Sequence, residues 1–189
     1  MEFNNFSSAS DHKAYGGRIG FQPCTNFDIG YGVQTSQVNA DGFKGSPRAL
    51  LQSVDLSSTF NALKGRWALQ AQYAWSKIGS ADYAPTFADD GTPFPTHFSS
   101  HRRGGYAQLS YRPRAWESEF ANSLELVLRG DHMDAPNGLP GSFDEDRLTF
   151  GLDYWITSSV VLKTAYELDR RNNGEPNSNA FLLQIAAGL

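Results

Sequence analysis

At 189 residues and a net charge of −4, the chain has no basic surplus to neutralise phosphates, which argues against nucleic acid as a partner. Its 18 Gly, 13 Phe, 8 Tyr and 4 Trp, against only 19% charged residues, fit a β-rich protein dense in turns and aromatic side chains. No stretch approaches the roughly 20 apolar residues of a membrane-spanning helix, a test that spanning strands escape because half their residues face away from lipid.

Met1 is followed by the polar run Glu2 to Asp11, which has neither the basic end nor the apolar core of a signal peptide. Residues 1–13 read as an extracellular loop or a truncated start, and residues 14–189 as one body of strands. Alternating segments are predicted at about 14–22, 27–36, 51–61, 66–77, 104–113, 123–133, 146–157, 160–170 and 179–189. Cys24 stands alone, so it forms no internal disulfide. Trp116 to Leu126 has some helical character but runs into the alternation of Leu124, Leu126 and Leu128 against Glu125, Val127 and Arg129, and reads as a connection followed by a strand.

The C-terminal third carries the clearest pattern. Leu148, Phe150, Leu152, Tyr154 and Ile156 share one face, and Thr149, Gly151, Asp153, Trp155 and Thr157 the other. Leu162, Thr164, Tyr166 and Leu168 then oppose Lys163, Ala165, Glu167 and Asp169. In the last segment Phe181, Leu183, Ile185, Ala187 and Leu189 oppose Leu182, Gln184, Ala186 and Gly188. Charges keep to one face, as they would on a half-buried soluble sheet or on a membrane strand.

The connections separate the two. Those at Pro23–Asn26, Asn61–Arg66 and Ser158–Ser159 are short, whereas Gln37–Leu50, Ile78–Arg103, Asp134–Glu145 and Arg171–Ser178 are long and polar; Pro113–Asn122 is longer than its class. Outer-membrane barrels alternate tight periplasmic turns with extended extracellular loops, and a sandwich has no such requirement. Phe21, Phe27, Phe60, Trp67, Tyr111 and Tyr154 fall beside the proposed periplasmic turns, with Tyr15, Trp75 and Phe181 toward the opposite rim, as interfacial belts do. Ordinary enrichment of aromatic residues in strands is the simpler alternative.

Gly17-Arg18-Ile19-Gly20-Phe21, Ala107-Gln108-Leu109-Ser110-Tyr111, Arg147 through Trp155, Leu162-Lys163 and Phe181-Leu182-Leu183-Gln184 resemble the C-terminal half of bacterial phosphate-selective porins of the O and P type and related general porins. The resemblance covers roughly residues 14–189 and rests on strand patterns, with Leu189 standing where such barrels usually end on Phe. It implies an antiparallel up-and-down transmembrane β-barrel in the bacterial outer membrane. The barrel would be a homotrimeric diffusion channel for small hydrophilic solutes or ions, in contact with outer-membrane lipid. Strand parity then leads us to expect at least one strand and a secretion signal upstream, with this chain supplying about nine strands of a barrel of about 16 to 18.

On that register the lumen-facing candidates are Arg18, Asp55, Arg112, Glu125, Arg129, Asp131, Asp153, Lys163 and Glu167, joined by Asp28, Asp169, Gln70, Gln72, Gln108 and Gln184. They would hold water and create a transverse field, or simply pair across neighbouring strands. Their acidic excess favours cations or neutral solutes over phosphate. No catalytic residue, metal or cofactor is expected. Asp131 and His132, with Asp134 and Asp144-Glu145-Asp146, are the candidates for acid/base chemistry, but adjacent strand residues face opposite ways. Asp134 to Asp146 is also the candidate calcium stretch, although its spacing matches no EF-hand; Asp89-Asp90-Gly91 reads as a turn, and His12, His97 and His101 have no partners at metal spacing. The functions from other classes are a soluble all-β binding module and a small complete barrel acting as an adhesin or structural element.

Overall fold

Alternation along almost the whole chain resolves into one antiparallel sheet. A computed structural model describes residues 13–37, 43–44, 47–83, 97–135, 144–171 and 176–188. Its elements are β1 (Tyr15–Cys24), β2 (Phe27–Gln37), β3 (Phe43–Lys44), β4 (Arg48–Ala62), β5 (Gly65–Tyr83), β6 (His97–Pro113), α1 (Glu119–Asn122), β7 (Leu124–Asp134), β8 (Asp144–Trp155), β9 (Val160–Arg171) and β10 (Ser178–Ala187). Strands follow one another in space as in sequence, β1-β2-β4-β5-β6-β7-β8-β9-β10, while the short β3 pairs with Tyr83 and Asp82 of β5. Every pairing is antiparallel. β1 and β10 are paired on one side only, so the sheet is open at both edges.

All the predicted strands are present, and several boundaries move. β5 and β6 continue into the stretch expected to be a loop between residues 78 and 103, through Tyr83 on one side and from His97 on the other. Lys77 pairs with His101 and Ile78 with Ser100 before a register shift between Ile78 and Ala81. The hydrogen-bonded ladder carries the strands past the point where the apolar pattern stops, because backbone pairing does not depend on which side chain it carries. β4 likewise starts earlier than expected, at Arg48, and β3 lies inside the connection expected to be loop only. The connection after β6 contains a helical turn, within the stretch whose helical character the sequence shows but which was read as a connection. Ser118 caps it by accepting the Ala121 N–H at 3.3 Å, and Asn122 closes the loop through Nδ2 to the Trp116 carbonyl at 3.0 Å. Residues 1–12, the centres of the four long connections and Leu189 lie outside the described residues, as do the expectations placed on His12 and Asp89-Asp90-Gly91.

The tightest turn shows how the short connections are fixed. Leu63 and Lys64 alone join β4 to β5, with φ of 53° and 55°. This is the left-handed region, unusual for residues other than glycine, but it matches the twist of a two-residue hairpin. Tyr111 donates its hydroxyl to the Leu63 carbonyl at 2.7 Å, and the Lys64 carbonyl accepts the Arg114 and Ala115 N–H groups at 2.9 and 3.2 Å. The Tyr111 ring lies so close over Gly65 that a Cβ there would be 2.3 Å from it.

Because the central register has no shifts, the two faces stay aligned from strand to strand. One row reads Ile29, Leu56, Ala71, Ala107, Gly130, Leu148, Leu168 across β2 to β9. The next reads Gly30, Asp55, Gln72, Tyr106, Asp131, Arg147, Asp169. The apolar face is uncovered: Ile19 is 74% exposed, Phe181 70% and Leu126 57%. Among the described residues the buried apolar side chains are Ala49, Ala135 and Val161, with Pro47 and Pro113. The described residues form no second layer and no hydrophobic core of large side chains.

Candidate functional site

The polar face is where the chemistry gathers. All nine of the side chains singled out from the sequence, Arg18, Asp55, Arg112, Glu125, Arg129, Asp131, Asp153, Lys163 and Glu167, fall on it by register. Most of its carboxylates are engaged by a neighbour. Arg18 on β1 reaches across β2, holding Asp28 at 2.8 Å and Asp55 of β4 through Nε at 3.1 Å. Gly30 makes this reach possible, since a Cβ there would fall within 2.5 Å of the guanidinium.

On β7 to β9 the charges form a denser wall. Arg129 takes Asp131 of its own strand, two residues on, through Nε at 2.9 and 3.0 Å and Nη2 at 2.6 Å, while its guanidinium lies 3.9 Å from the Tyr106 ring centroid. Arg147 is the hub of the next cluster, with Asp169 at 2.6 Å, Glu145 at 2.9 Å and Glu167 at 3.8 Å. Asp169 is almost fully buried and also accepts from Ser178 Oγ at 3.3 Å. Lys163 lies 3.6 Å from Asp153, and the Trp155 indole donates to Glu125 at 3.0 Å. Arg112 sits 4.8 Å over the Trp155 ring and donates to the Asn122 carbonyl at 3.2 Å. Pairing across strands, the simpler reading of these charges, accounts for the Arg18, Arg147 and Lys163 contacts.

Arg147, Glu145, Arg102 and Arg66 were missing from the lumen-facing candidates, Glu145 having been placed only among the acid/base and calcium candidates. Each follows from carrying the alternation further: Arg147 and Glu145 continue the register of Thr149, Arg102 that of Gly104, and Arg66 that of Ala68. Together they change the charge pattern. Among the described residues the polar face of β5 and β6 bears Arg66, Arg102 and Arg112 and no acid, so the acidic excess is confined to the flanking strands.

A cavity of about 960 Å³ opens on this face toward the long connections. Its lining runs from Gly16 on β1 to Met133 on β7, so the sheet curls toward its polar side. Gly32 and Gly104 project no side chain into it.

The candidates for acid/base or metal chemistry do not assemble. Asp131 belongs to the Arg129 pair, whereas His132 lies on the apolar face, its Nδ1 2.8 Å from Asp146. Asp134 is taken by Arg103 at 2.7 Å on that same face, and residues 136–143 of the candidate calcium stretch lie outside the described residues. Among the described residues no group of three His, Cys, Asp or Glu side chains is placed to hold a metal ion. Exposed Cys24 is a free thiol at the end of β1. The chain matches no protein-family model and no curated protein sequence.

Proposed function

We propose that this sheet is part of the wall of an outer-membrane β-barrel, through which small hydrophilic solutes or ions diffuse passively. The observation that carries the reading is the inversion of the two faces. Large apolar side chains cover the face that nothing packs against, and the charged side chains line the sheltered, curled side. In water such an apolar surface would far exceed the few hundred Å² a soluble monomer leaves exposed. Against lipid it is the expected exterior, and the charged face becomes the wall of an aqueous lumen.

The dimensions support the same reading. Apolar side chains alternate on the outer face from Trp67 to Trp75 on β5 and from Leu148 to Ile156 after β8, spans that fit the roughly 9–11 residues of a tilted membrane strand. Beyond Trp75 the outer face turns to Lys77, His101, Arg103 and the His132–Asp146 pair. At the short-connection end, Phe60 stacks on Trp67 at 6.1 Å, Trp67 meets Tyr111 at 4.7 Å, and Phe120 meets Tyr154 at 5.6 Å. Tyr73 and Trp75 form the counterpart toward the other end at 5.8 Å. Rings grouped at two levels on either side of an aliphatic band suit the two membrane interfaces.

The open edges set the terms of closure. Unpaired N–H and C=O groups cost several kcal/mol each in lipid, so both edges need partners. β1 and β10 are the ends of a path of alternating strands, and they run in the same direction. Antiparallel closure therefore takes an odd number of further strands. A soluble binding module would instead need a second layer over the apolar face.

Folding from denaturant tests the reading. The chain is expected to gain β structure on transfer into lipid vesicles or detergent micelles, and to give stepwise conductance when its closed form is placed in a planar bilayer. A folded, monodisperse protein in detergent-free buffer would overturn it.

A further inference from the structure

The cavity on the polar face has a charge and hydrogen-bonding pattern of its own. Of the arginines along its lining, Arg129 is held by Asp131 and Arg103 turns to the apolar face, where it meets Asp134, which leaves Arg102 on the polar face with no carboxylate partner among the described residues. Arg102 lies directly across from Ser76 on β5, one step beyond Gly104 on the same face. Around it the cavity offers the side-chain amides of Gln34 and Gln72 and the hydroxyls of Ser53, Ser76 and Tyr106. Its volume, about 960 Å³, lies within the range of small-molecule sites.

We infer that this recess binds a small polyhydroxylated monocarboxylate, a sugar acid in chemical class. The free guanidinium supplies a planar two-pronged donor for one carboxylate. The surrounding amides and hydroxyls both donate and accept, which suits a ring of hydroxyl groups and gives a bare inorganic anion little to bond with beyond the one arginine. With Arg129 engaged by Asp131 and Arg103 by Asp134, one guanidinium remains for the ligand, so the pattern suits a single acidic group. The site thus has the opposite preference from the one the acidic composition of the face suggests, because the acids flanking the recess are already neutralised by arginines. The inference rests on the polar face bordering water, as in the barrel reading above, but not on conduction.

Titration calorimetry on the full chain folded in detergent micelles, with glucuronate and glucose as probes, tests it. Glucuronate is expected to bind more tightly than glucose. Arg102→Gln is expected to weaken glucuronate binding at least about tenfold, the loss of one charge-assisted contact, and to leave glucose unchanged. Arg66→Gln, on the same face but outside the cavity, should have no effect. Ser76→Leu, which fills the recess without altering charge, should weaken both probes and guards against a folding defect in the arginine variant. Equal affinity for the two probes, an Arg102→Gln protein that binds glucuronate as the parent does, or no binding by the folded parent would each overturn the site. Bilayer conductance is read separately: binding without conductance retires the pore and keeps the site, and conductance without binding does the reverse.

Discussion

Leu152→Arg separates the lipid reading from every aqueous one. Leu152 sits midway along the apolar stretch of β8, between Phe150 and Tyr154 on its own face, with Leu126 of β7 and Thr164 of β9 as its cross-strand neighbours. It is 40% exposed, with nothing packed on it to be displaced. In water, an arginine there changes stability within about 0.5 kcal/mol, as surface substitutions generally do. At the middle of a bilayer the same change costs about 2–4 kcal/mol, or about 30- to 1,000-fold in the folding equilibrium. Depth sharpens the comparison: Leu148→Arg, near the charged rim, should cost only about 0–1 kcal/mol. Thr149→Arg, one residue away on the polar face and beside Glu167, should be tolerated. The assay is reversible denaturant unfolding in lipid vesicles followed by tryptophan emission. Equal costs for Leu152→Arg and Thr149→Arg would refute the assignment of faces to lipid and water.

The other predictions probe the turn, the charge wall and the belts. Replacing Leu63-Lys64 by Asn-Gly should stabilise the fold by about 1 kcal/mol in the same unfolding assay, because both positions already hold positive φ. Gly65→Ala should destabilise by about 1–3 kcal/mol, since its Cβ would lie 2.8 Å from the Arg112 carbonyl oxygen, which the β5–β6 ladder holds in place. Arg147→Met strands Glu145, Glu167 and Asp169 without their shared cation and should cost about 1–3 kcal/mol; adding Asp169→Asn should recover part of that loss, and strict additivity of the two changes would contradict the hub. Proteins with Trp67 or Trp75 as their one tryptophan should be quenched more by lipids brominated near the headgroup than by those brominated at the chain end, and equal quenching would remove the interfacial belts.

Much of this sheet was legible in the residues because strand alternation is a local property. A side chain two positions along returns to the same face whatever the rest of the chain does. So the segregation of Leu148, Phe150 and Leu152 from Thr149 and Asp153, and the separation of Asp131 from His132, could be read directly. The short connections were legible for the same reason, whereas two of the long ones proved shorter than expected, because the ladder of β4, β5 and β6 runs into them. The helical turn at Glu119–Asn122 showed only as a trace of helical character in Trp116 to Leu126, because a single turn is fixed by the Ser118 and Asn122 side chains folding back on it and leaves little period to detect.

The sequence by itself determined which side chains share a face, and hence that one face is apolar and the other charged. The tertiary structure decided which side chains meet across strands, because contact depends on register summed over several hairpins. Arg18 reaching Asp55, and Arg147 gathering acids from two strands, are outcomes of that register. It also decided that the ladder runs on past Trp75, which brings Arg102 onto the polar face opposite Ser76. Most consequentially, it left the apolar face uncovered by any of the described residues. Composition cannot distinguish a sheet that hides its apolar side in a core from one that leaves it uncovered, since both carry the same alternation; only the three-dimensional arrangement shows which face the described residues cover.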